Sequence, residues 1–90
     1  MTYKIILSSR ARRALAEQLP EAVAVACHEF IQGPLADNPY RVGKQLGPPL
    51  YPAYAARRGD FRVVYDIRET EVAVEVVSIM HRRDAYRTPR

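Results

Sequence analysis

Apolar and polar positions alternate with a period of two across "FRVVYDI", Phe61 to Ile67. Phe61, Val63, Tyr65 and Ile67 fall on one side of an extended chain, and Arg62, Val64 and Asp66 on the other, the pattern of a strand with one covered face. "VAVEVVSIM", Val72 to Met80, is longer and turns apolar on both sides toward its end, as a central strand does. "YKIIL", Tyr3 to Leu7, is rich in β-formers, and "YAAR", Tyr54 to Arg57, predicts a weaker strand. Between the first strand and the rest the period changes to that of a helix. Ala11, Ala14, Leu15 and Leu19 form one stripe, and Val23, Ala26, Cys27, Phe30 and Ile31 a second. Ser8 or Ser9 is placed to cap the first helix, and Pro20 suits the first turn of the second. Gly33-Pro34 should weaken or kink that helix, although Leu35 keeps to its stripe and extends it to about Ala36. "NPYRVGKQLGPPLYP", Asn38 to Pro52, carries four prolines and two glycines and predicts a loop. "RETE", Arg68 to Glu71, predicts a polar turn.

The order β-α-α-β-β-β predicts an α+β two-layer sandwich in one domain, 1–90. A helical hairpin packs on one face of a mostly antiparallel sheet, and the other face stays open. Strand parity then puts Arg62 on the open face, near the place where the tail leaves the sheet after Met80.

Composition fits a folded chain, with 48% hydrophobic and 27% charged residues. No apolar run approaches the length of a membrane span. The one cysteine, Cys27, cannot form an internal disulfide, no residues have metal-ligand spacing, and a reducing, cytoplasmic setting is expected. No cofactor is implied. Cys27 falls on its helix stripe and is expected in the core, while His28 lies off it and receives no role. Charge sharpens the picture through position. Of fourteen basic residues only Lys4 and Lys44 are lysine, and arginine grips phosphate through a planar fork that lysine lacks. GC-rich coding accounts for much of that bias. Two short segments, "RRGDFR" (Arg57 to Arg62) and "HRRDAYRTPR" (His81 to Arg90), nevertheless hold seven of the twelve arginines.

An open sheet face with Arg62, fed by Arg82, Arg83 and Arg87 and by Tyr86, suits a phosphate backbone with a base stacked beside it. Cleaving RNA by attack of the 2′-hydroxyl needs a proton acceptor, a proton donor and cations for the transition-state charge. His81 is a group of the right type for proton transfer near neutrality. Each residue alone has a structural reading too: solvated arginines guarding a sheet edge, a surface histidine, a tyrosine packed on the core. Arg10, Arg12 and Arg13 read as a solvated helix face. The residues by themselves define a basic α+β domain that binds nucleic acid.

The element order, with "RRGDFRVVY" (Arg57 to Tyr65) and "VSIMHRRDAYR" (Val77 to Arg87), resembles the RelE family of bacterial toxins, within the wider RelE/ParE superfamily. The resemblance covers nearly the whole chain. It implies a toxin of a type II toxin-antitoxin system: a metal-independent, ribosome-dependent endoribonuclease that cuts mRNA in the A site and inhibits translation. It also implies a RelB-type antitoxin as partner, with operator DNA bound only through the toxin-antitoxin complex. Carried over residue by residue, Arg62 and Arg82 would stabilise the transition state and the scissile phosphate. Tyr86 would stack on a base and orient the 2′-hydroxyl, and His81 would carry the proton. Arg57, Arg58, Arg83, Arg87 and Lys44 would bind RNA. The chain departs from the resemblance at Ala53 and Ala55, where the best-known members carry lysines. Proton abstraction is then left to His81, to Lys44 or to the ribosomal substrate. Two further readings remain at this point: a ParE-like inhibitor of DNA gyrase with the same fold, and a catalytically weak co-repressor that works with its antitoxin.

Overall fold

The computed structural model describes residues 2–83. Its spine is a five-stranded sheet in the order β1-β5-β4-β3-β2. The strands are β1 (Lys4–Leu7), β2 (Lys44–Gln45), β3 (Tyr54–Arg58), β4 (Phe61–Arg68) and β5 (Ala73–His81). β1 pairs with β5 in parallel, and every other pairing is antiparallel. The hairpin of helices joins β1 to β2. Helix α1 (Ser9–Arg13) runs into a π-turn at Ala14–Gln18, and α2 (Glu21–Phe30) into another at Ile31–Leu35.

Helix boundaries follow from local chemistry. Ser8 Oγ accepts from the Ala11 amide at 3.0 Å, the N-cap bond that a serine ahead of a helix makes. Pro20 is the residue before α2, and its carbonyl accepts from the Ala24 amide at 2.9 Å. Pro34 has no amide to donate, and the backbone passes it in the π-turn rather than stopping.

The expected stripes meet the sheet. Ala11, Ala14, Cys27, Phe30, Ile31 and Leu35 are buried against Val63, Tyr65, Val74, Val76 and Ile79, with Phe61 and Ile67 packed at the margin. Ala26, assigned to the second stripe, is exposed. Full burial of a side chain such as Ile31 or Leu35 contributes on the order of 2 kcal/mol.

Two further features depart from the pattern reading. The segment expected as a loop contains β2, which gives the sheet a fifth strand. Its register is Lys44 opposite Ala55 and Gln45 opposite Tyr54. Gly43 is what lets it approach. A Cβ there would collide with the Tyr65 hydroxyl and lie 2.7 Å from the Ala55 carbonyl oxygen. The stretch is fastened on both sides of Lys44: Tyr65 donates to the Pro39 carbonyl at 2.6 Å, and the Leu46 amide donates to the Ala53 carbonyl at 2.8 Å.

The second departure is a β-bulge. Val64 is opposite Ser78 but Tyr65 is opposite Val76, so Val77 is an extra residue in β5. Side chains alternate along a strand, so one inserted residue exchanges the faces of everything beyond it. Val74 and Val76 reach the core before the bulge, and Ile79 reaches it after. The Val77 carbonyl accepts from Ser8 Oγ at 2.6 Å. One serine therefore caps α1 and supports the bulge.

Candidate functional site

The face of the sheet turned away from the helices carries cross-strand rows. In one, Lys44, Ala55, Val64 and Ser78 follow one another from β2 to β5; in the next, Arg57, Arg62 and Met80 do so from β3 to β5. Arg57 and Arg62 are directly opposed across β3 and β4, which brings two positive charges together at one place on the sheet. Around it lies an open cleft of about 470 Å³ lined by Arg41, Val42, Gly43, Lys44, Leu46, Ala55, Arg57 and Arg62. Four of these eight are cations, and among the described residues no carboxylate lines the cleft. Ala55 gives the floor a small side chain between them.

Among the described residues, the carboxylates of this sheet face sit at its other end. Asp66 is opposite Glu75, and Arg68 forms ion pairs with both Glu75 and Glu71. Burial, followed by the charge of Glu75, pushes the Asp66 carboxyl above its ordinary value against the opposing pull of Arg68. Positive potential is thus concentrated at the cleft, where an anion would be drawn.

The candidates from the sequence divide along the parity of the strands. Arg57, Arg62 and Lys44 meet in the cleft. Arg58, one residue from Arg57, is opposite Phe61 on the helix side. Its guanidinium lies 3.6 Å over the Phe30 ring, a cation-π contact. His81 is also on that side, because the bulge at Val77 exchanges the faces of β5. Its ring meets Phe61 edge-on at 5.3 Å, and its Nδ1 accepts from the Arg83 amide at 3.2 Å. The structure does not bring His81 and Arg62 together.

Arg82 follows β5 at the tip of the β3–β4 hairpin. Its amide donates to the Asp60 carbonyl at 2.7 Å, and its Nε is 3.7 Å from Asp60 Oδ1. Gly59, at φ +59°, makes that two-residue tip, using the backbone freedom that glycine brings to tight hairpins. The Arg82–Asp60 pair is exposed, weak and sensitive to salt, so a stronger anion can displace the carboxylate. Arg83 is exposed. Tyr86 and Arg87 lie outside the described residues. Arg41 is the member of the cleft that sequence reasoning missed; its position three residues before Lys44 was the available signal.

Tyr65 secures the site from beneath. It is fully buried and stacks on Tyr54 with ring centroids 5.8 Å apart. Burial raises its hydroxyl pKa well above the ordinary tyrosine value, so the group stays protonated and keeps donating to Pro39. Among the described residues no cluster of histidine, cysteine and carboxylate side chains is arranged to hold a metal ion. No described helix is long and apolar enough to cross a membrane.

A helical hairpin on a mixed sheet, with a cationic cleft on the sheet face turned away from the helices, defines a small α+β protein. Comparison with known proteins makes the class specific. Residues 4–86 match the family described as ParE toxin of type II toxin-antitoxin system, parDE. The chain belongs to this family, within the RelE/ParE superfamily of toxins. Toxin RelE of Mycobacterium tuberculosis is 45% identical over 85 residues, covering 94% of this chain and 87% of that one. Toxin RelG of the same organism is 38% identical over 87 residues, covering 97% and 99%. Among solved structures, the toxin-antitoxin complex RelBE2 of M. tuberculosis matches with a TM-score of 0.85 at 35% identity, covering 91% of this chain and all of that one. A variant of the Escherichia coli toxin RelE in the free state matches with a TM-score of 0.75, covering 94% and 88%, and at 18% identity it speaks for the fold alone. The chain is a toxin of a type II toxin-antitoxin system.

Proposed function

We propose that this toxin is a ribosome-dependent endoribonuclease that cuts mRNA in the A site and thereby stops translation. The observation that carries this reading is the cleft that gathers Arg41, Lys44, Arg57 and Arg62, with no acidic side chain among the described residues of its lining. Attack of a 2′-hydroxyl on the adjacent phosphate puts extra negative charge on the phosphoryl oxygens. Preorganised cations stabilise that charge best where they need not rearrange. Arg62 is suited to this, being half-buried on a central strand and holding a fixed fork of donors. Arg57 and Arg41 flank it, and Arg82, exposed at the hairpin tip, reaches for the phosphate or the leaving group. Tyr86 is assigned to stack on a substrate base, and Arg83 and Arg87 to the RNA backbone. The positive charge comes from the protein's own side chains, so the reaction needs no metal ion.

The partner in the resting state is a RelB-type antitoxin, as in the complexes of the similar structures. It covers the basic face, and operator DNA is bound only by the pair. Purified toxin added to ribosomes carrying a synthetic mRNA tests the reading by primer extension. Cleavage is expected only when the mRNA is ribosome-bound, and Arg62→Ala should slow it by roughly 100- to 1,000-fold, the cost of losing one transition-state stabiliser. Intact mRNA with wild-type toxin would exclude it. Blocked supercoiling by purified DNA gyrase would then point to an inhibitor acting by contact alone.

A further inference from the structure

We infer that Lys44 is the proton donor of the cleft, the group that protonates the 5′-oxygen as the RNA chain breaks. This inference rests on the RNA-cleaving reading above and names the group that completes its chemistry. Of the four cations among the described residues that line the cleft, three are guanidinium groups, which do not release a proton in proteins. Lys44 is the one among the described lining residues whose proton can be transferred. His81, the residue type expected to carry protons, faces Phe61 on the helix side of the sheet.

The position of Lys44 is built rather than incidental. It lies opposite Ala55, and residues paired across strands project to the same face with Cβ atoms about 5 Å apart. Ala55 is too short to compete for the space above it. Gly43 lets the chain approach β3 to within a distance that any side chain would block, and the Pro39 and Leu46 hydrogen bonds hold the segment on either side. A two-residue strand in a proline-rich segment thus presents one ammonium group, in fixed register, beside the Arg57–Arg62 row.

In the step, the 2′-oxygen forms its bond to phosphorus and its proton passes to solvent water. The bond from phosphorus to the 5′-oxygen breaks, and the 5′-oxygen takes the proton from Lys44 Nζ. The products are a 2′,3′-cyclic phosphate and a 5′-hydroxyl end, and the neutral amine recovers a proton from solvent.

The test uses ribosomes carrying a synthetic mRNA in two versions. One has the ordinary linkage at the cut site, and the other has sulfur in place of the 5′-oxygen. A departing thiolate needs no protonation. Lys44→Ala and Lys44→Arg should each cleave the ordinary linkage roughly 100- to 10,000-fold more slowly than wild type, and the sulfur linkage within about tenfold of it. Lys44 is exposed, so both variants should fold, and Lys44→Arg preserves the charge. A wild-type rate in Lys44→Arg would overturn the inference in favour of charge alone. An equal loss on both linkages would overturn it in favour of binding or positioning. Undiminished cleavage by Lys44→Ala would remove the residue from the reaction. Absence of cleavage by the wild-type toxin would instead defeat the RNA-cleaving reading itself.

Discussion

Replacing Tyr65 with phenylalanine deletes one oxygen atom and tests how the cleft is held together. The ring, fully buried and stacked on Tyr54, is retained, so the apolar area buried on folding hardly changes. What is lost is the 2.6 Å hydrogen bond to the Pro39 carbonyl. Pro39 is itself fully buried, which leaves its oxygen without ready access to water. A typical buried hydrogen bond contributes about 1 kcal/mol net, and stranding its acceptor raises the cost to roughly 1–3 kcal/mol. At about 4–8 °C per kcal/mol for a chain of this size, a central value of about 2 kcal/mol predicts a fall in Tm of roughly 8–16 °C. Urea denaturation should show a lower midpoint with an unchanged slope, because the slope follows the area exposed on unfolding. RNA cleavage should also fall at temperatures where the variant remains folded, since Pro39 anchors the segment that carries Arg41 and Lys44. A change below about 0.5 kcal/mol, less than an ordinary hydrogen bond, would refute this account of how the segment is fixed.

Other substitutions probe the remaining supports. Ser8→Ala removes the α1 cap and the hydrogen bond to the bulged Val77 carbonyl, and should cost roughly 1–2 kcal/mol in urea denaturation. Asp66 gives a pH-dependent signature. Its folded-state pKa is raised, chiefly by burial and then by Glu75, so its stabilising contribution is present below the unfolded value and lost as pH rises through the folded one. Asp66→Asn should therefore raise the urea midpoint at neutral pH, and the gain should shrink below the ordinary aspartate value of 3.8. Removing charge at Arg62, Arg82 or Arg83 should flatten the salt dependence of antitoxin binding, measured by titration calorimetry at several salt concentrations.

The layers of the fold were legible because burial imposes period on sequence. The alternation from Phe61 to Ile67 assigned the faces of β4, and the stripe through Cys27, Phe30 and Ile31 assigned the inner side of α2. Arg62 was thereby placed on the face turned away from the helices. Arg58 was harder, since one residue of parity separates a cleft arginine from one over Phe30, and composition treats the two alike. His81 was hidden by the bulge. An unbroken strand would have turned it toward Arg62's face, but the extra Val77 turns it toward Phe61, and no local pattern marks that insertion. Lys44 was visible as a lysine but not as part of a strand. Two residues carry no periodicity, and the prolines around β2 argue for a loop. Its register is set by close approach at Gly43 and by Tyr65, 22 positions further along the chain, which is tertiary information.

The most direct test of the central claim is to induce the toxin without antitoxin and map mRNA 5′ ends in translated and untranslated messages, with Arg62→Ala alongside. New ends confined to translated frames, and lost in the variant, are the predicted result. Growth arrest with every message intact would contradict it.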